Sequence, residues 1–147
     1  MSLESLLVSG RLKKHRTSTR EIAELFKVVE RDVADASIKE LSADRCFATA
    51  YNAVLQLATI ALYCKGYRPT GTGHHFTVFQ ALKHTLEEEG QDLADYFDAC
   101  RVKRNITDYD RAGQVSEKEA QELLDEAKIF KSKINEWLSK NYPDFLR

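Results

Sequence analysis

Apolar residues recur at steps of three and four along most of the chain, and alternating apolar–polar runs are nearly absent. Ser18 to Glu21 ("STRE") has the S-x-x-E form that closes a helix N-terminus on itself. Behind it Ile22, Leu25, Phe26, Val29, Val33 and Ala36 make one apolar stripe, so a helix is expected to about Lys39. A second helix is expected from near Ser42 to near Lys65, with Gly66 suited to the position just past its end. Phe47, Ala50, Tyr51, Val54, Leu57, Ala58 and Ala61 form its stripe, and Leu55 and Leu62 widen it. No charged residue occurs from Cys46 to Cys64, which marks the central helix of a bundle.

"GYRPTGTGHH" (Gly66 to His75) is the one Gly/Pro-rich break. It reads as a turn between helices, or as a segment that aims His75 at a shared groove. A shorter helix is expected from Phe76 to Glu89, stopped by Gly90, and another from about Asp92 through "DLADYFDAC". Ser116 and Glu119 repeat the S-x-x-E signature and open a long helix through Ala120, Leu123, Leu124, Ala127, Phe130, Ile134 and Trp137. Pro143 ends it, and a short helix is expected around Leu3 to Val8. The expectation is one all-α domain over 1–147, an antiparallel bundle of four core helices plus one or two short ones, with no strands.

Composition changes this picture little. The chain has 147 residues, 43% hydrophobic and 31% charged, which suits one domain with a real core. A net charge of −1 supplies no global attraction to nucleic acid or acidic membranes. Any such attraction must come from a local patch, and the basic run Gly10 to Arg20 ("GRLKKHRTSTR") is either that patch or, as is more often the case for a charge run, a solvated connector. Cys46, Cys64 and Cys100 are widely spaced in apolar contexts, which suits free thiols. The Phe47–Cys64 run is interrupted by Asn52, Gln56 and two Thr, so a buried helix is expected rather than a membrane span. With no signal peptide pattern, a cytoplasmic protein without membrane contact is expected.

Candidate chemistry is sparse. No Glu-x-x-His pair suits a carboxylate-bridged metal bundle, and adjacent His74 and His75 would splay apart on a helix, so no metal and no cofactor are expected. One stretch stands out. From Leu93 through Phe97 and Cys100, the next position on the apolar face is Arg104, followed by Asn105, Asp108 and Tyr109. On pattern alone Arg104 either anchors a neighbouring helix end or floors a polar cleft with Arg101. The guanidinium is a planar fork suited to phosphate, and Asn and Tyr add hydrogen bonds and a stacking face.

"RNITDYDRAG", followed by "SEKEAQELLDEAKIF", resembles HEPN domains, closest to small stand-alone proteins with an R-x-x-x-DYD ending. "DRCFATAYNAVLQLATIALYCKGYRP" resembles that family's central helix, with Tyr51 and Ala53 in typical places, and "TGTGHHFTVFQAL" resembles the segment where a histidine opens the next helix. The likeness spans about Ser42 to Ile134. It implies a bundle that dimerises, with the polar motif in a cleft at the homodimer interface. Many such domains are metal-independent ribonucleases, often toxins paired with a minimal nucleotidyltransferase antitoxin; others bind RNA or a partner without cutting. The ribonuclease pattern is Arg, four to six residues, then His. Arg104 matches the Arg and Asn105 the polar residue after it, but the histidine slot falls on Tyr109, Asp110 or Arg111. Tyrosine titrates near ~10 and is a poor base at neutral pH. The resemblance thus implies a binding module for RNA or nucleotide, or for a nucleotidyltransferase, through Arg101, Arg104, Asn105, Asp108 and Tyr109. The alternative is a ribonuclease in which Arg104 steadies the phosphate charge and Tyr109 or His75 handles the proton.

Overall fold

The computed structural model describes residues 2–71, 74–86, 89–109 and 114–146, with the backbone alone for 89 and 106–109. Among these residues there are six α-helices: α1 (Leu3–Val8), α2 (Thr19–Ala36), α3 (Ala43–Cys64), α4 (His74–Thr85), α5 (Glu89–Tyr109) and α6 (Glu117–Asn141). A 3-10 turn, Pro143–Leu146, follows α6. The fold is a helical bundle, as the periodicity predicts.

Local signals set most of the boundaries. Ser18, Ser42 and Ser116 each accept a hydrogen bond from the backbone N–H three residues on, at the starts of α2, α3 and α6. At α6 the box is complete, because Glu119 accepts the N–H of Ser116 in return. Gly66, at φ +92°, sits just past the end of α3 in the left-handed region where a side chain is disfavoured.

The chain forms strands, which were not expected, in the stretches read as a connector and as a Gly/Pro-rich break. Leu12–Lys14 (β1) and Tyr67–Pro69 (β2) pair antiparallel, Leu12 opposite Pro69 and Lys14 opposite Tyr67. Gly10–Arg20 is therefore not merely a solvated connector. Leu12 is buried, and His15 bonds Glu21 at 2.6 Å while packing on the Tyr63 ring. Three residue pairs give too short an alternation to register in the sequence.

Gly90 also departs from expectation. It does not stop α4; it is the second residue of α5. A Cβ there would stand 2.7 Å from the backbone oxygen of Leu82. The missing side chain is what lets α5 start against α4.

The core is centred on α3, which is buried along most of its length against α2 and α6, with α4 and α5 on another side. Among the described residues α3 is the one helix long and apolar enough to cross a membrane, and the bundle buries most of it. Tyr51, Phe79, Phe97 and Phe130 link α3, α4, α5 and α6 through successive ring contacts of 6.0, 5.9 and 5.0 Å. Cys64 and Cys100 are buried, Cys46 is half-buried, and all three are free thiols. The aromatic chain matters for the site, because Tyr51, buried like the other three rings, is the end member of it.

Candidate functional site

The apolar face of α5 runs through Ala94, Phe97 and Cys100, all buried. Four residues after Cys100 the same face carries Arg104, half-buried, as the spacing predicts. Its guanidinium carbon lies 5.6 Å from the centre of the Tyr51 ring. One turn earlier, Arg101 lies 5.4 Å from the centre of the Phe76 ring. Arg11, just before β1, approaches the same Phe76 ring at 5.4 Å. Three cations from two parts of the chain thus gather on two aromatic faces, where ring electrons offset part of the cost of crowding them. Asp98 accepts from Arg101 Nε at 2.7 Å, a bond that does not use the terminal nitrogens of the guanidinium fork.

His75, in the first turn of α4, completes the cluster. Its Nδ1 shares a 3.1 Å hydrogen bond with the Tyr51 hydroxyl, and its other flank touches the His74 ring edge-on at 4.6 Å. Burial, then His74, Arg104 and Arg101, push its pKa down to about 4. His75 is therefore neutral at pH 7. Burial pushes the Tyr51 hydroxyl the other way, above its ordinary range, and the pull of Arg104 and Arg101 does not offset it. The pair is a neutral hydrogen-bonded bridge next to a positive surface. Such a surface can hold phosphate. The bridge is weaker as acid–base machinery, since an imidazole near 4 has little affinity for a proton at neutral pH.

The structure brings together Arg101, Arg104 and His75 from the sequence-predicted set. Asn105 is half-buried on α5 beside Arg104. The α5 backbone continues helical to Tyr109, but the side chains of Asp108 and Tyr109, and Asp110 and Arg111 beyond them, lie outside the described residues. Sequence reasoning held Arg11 only as one cation of the Gly10–Arg20 run, apart from Arg101 and Arg104, and gave Phe76 and the hydroxyl of Tyr51 no role. Arg11 arrives through the β1–β2 pairing, which joins segments more than fifty residues apart. Tyr51 stands on the apolar stripe of α3 and reads as core, and Phe76 marks only the start of an expected helix.

His75 also lines an open groove of about 420 Å³ between α3, β2 and α4. A smaller hollow of about 230 Å³ lies between α2 and the 3-10 turn and shares no residue with it. Compared with known proteins, the chain matches no family model, no curated protein and no solved structure.

Proposed function

We propose that this protein is a HEPN-like, cytoplasmic module that holds single-stranded RNA at the Arg101–Arg104 cleft without cutting it. The observation that carries the reading is the gathering of Arg11, Arg101 and Arg104 on the faces of Tyr51 and Phe76, beside a neutral His75. Clustered guanidiniums suit phosphate oxygens, and their planes, with the half-exposed Phe76 ring beneath two of them, give a flexible single strand more to meet than a closed duplex. Asn105, Asp108 and Tyr109, the next residues of α5, extend the proposed contact surface by their place in the resemblance. By the same resemblance the cleft belongs at a homodimer interface, and a minimal nucleotidyltransferase is the protein partner such a module would dock.

The resemblance also offers a metal-independent ribonuclease, and the placement of His75 beside Arg104 is what favours it. The depressed proton affinity of His75 weighs against it. A labelled RNA incubated with the protein in chelator separates the two. Retention of intact RNA, weakened in Arg104→Ala, is expected. Cleavage by the wild type that disappears in Arg104→Ala would replace binding with catalysis.

A further inference from the structure

The groove beside His75 has a composition that the arginine cluster does not explain. It is floored by one face of α3, on which Asn52, Gln56, Thr59 and Tyr63 follow at steps of four, three and four. An accessible stripe on a long helix ordinarily carries Lys and Glu. This one carries two amides and two hydroxyls and no charge. Across from it stand Arg68 of β2 and His75 of α4.

These side chains are held from behind. Asn52 donates to the buried carboxylate of Asp32 at 2.5 Å, and Asp32 also accepts from Arg31. The Asn52 carbonyl accepts from Gln56 at 3.5 Å. Thr59 donates to the Leu55 carbonyl at 2.8 Å, which turns its oxygen into an acceptor for a visitor. Tyr63 packs against His15 at 4.3 Å between ring centres, and His15 is fixed by Glu21. The groove is therefore a pre-arranged set of uncharged donors and acceptors with a braced ring at one end and a cation, Arg68, on its margin. Its volume falls in the range of small-ligand sites.

We infer that this groove receives one unpaired base of the RNA strand, its edge read by Gln56 and Thr59, with flanking phosphates on Arg68 and, past His75, on Arg104. The inference rests on the RNA-binding reading and adds a division of labour to it. The arginines supply sequence-independent affinity, and the amide–hydroxyl stripe supplies base preference.

The test is fluorescence anisotropy with short single-stranded RNAs that differ only in one central base, using wild type, Gln56→Leu, Thr59→Val and Arg104→Ala. Wild type is expected to prefer one base by about fivefold or more, the discrimination that side-chain contacts to a base edge give. Gln56→Leu is expected to flatten that preference to about twofold or less while keeping the salt dependence, since it removes no phosphate contact. Thr59→Val, which swaps a hydroxyl for a methyl of the same shape, is expected to do the same in part and serves if Gln56→Leu is poorly folded. Arg104→Ala is expected to weaken all the RNAs alike and preserve their order. Binding that Arg104→Ala weakens but that ignores the central base overturns the base pocket and leaves the cleft standing, as does a preference that survives both groove variants. No binding of any RNA by the wild type overturns both.

Discussion

Lowering the pH from 7 to 5 should destabilise the fold through His75. Its folded pKa lies at about 4, below the ordinary value of 6.5, because burial and the neighbouring cations oppose a second charge. Between those two values the unfolded chain binds a proton that the folded chain refuses, so stability falls as the pH falls. From pH 7 to pH 5 the unfolded residue gains most of its proton and the folded residue almost none. The part of that interval below the unfolded value of 6.5 sets a ceiling of about 2 kcal/mol at ~1.36 kcal/mol per pH unit. The site is only half-buried, and screening by solvent reduces the expected effect to about 1 kcal/mol. His84 is shifted in the same direction, so the comparison must be with His75→Gln and not with the wild type alone. Glu21 and Glu119, both held below the usual carboxylate range, lose their contributions only at more acid pH. Urea unfolding at both pH values should give the wild type about 1 kcal/mol more acid sensitivity than His75→Gln. Equal sensitivity in the two proteins would refute the placement of His75 between Tyr51 and the arginines.

Two further substitutions probe the framework around the site. Tyr51→Phe keeps the buried ring and removes the hydroxyl that bonds His75 Nδ1, so urea unfolding should show a loss of about 1–2 kcal/mol; an unchanged midpoint would mean the bond contributes nothing. Gly90→Ala should improve helix propensity yet lower the melting temperature, because its methyl would meet the Leu82 carbonyl at 2.7 Å. A loss of about 1–3 kcal/mol is expected from that overlap, and a stabilised variant would contradict the close start of α5 on α4.

The helices were legible because their signals are local. A serine three residues ahead of a glutamate, or a stripe at steps of three and four, says the same thing in any surroundings, and α2, α3 and α6 begin within a residue or two of where those signals place them. The strands were not, because β1 and β2 are three residues each and exist only through pairing across the chain. Gly90 misled for a related reason. A glycine after an apolar run reads as a helix stop, and its use for close packing depends on Leu82, which only the fold brings near. Arg104 was visible as a charge at an apolar position, four residues after Cys100, and so was Arg101 beside it. What receives them was not visible. Tyr51 looks like a core residue by period and is one, and nothing in a linear pattern says that its ring, or that of Phe76, also supports a guanidinium. The amide–hydroxyl stripe of α3 was read as a mere interruption of an apolar run, when it is one face of a groove.

The dependence of RNA affinity on salt tests the proposed phosphate site at Arg101 and Arg104 most directly. For a single strand the slope of log K against log salt falls by about 0.7 for each phosphate neutralised. Wild-type protein should bind a short single-stranded RNA, leave it intact, and show a slope steeper by about 1.4 than that of Arg101→Ala/Arg104→Ala, which should also bind more weakly at low salt. Equal affinity and equal slope in the two proteins would contradict the assignment of phosphate binding to Arg101 and Arg104.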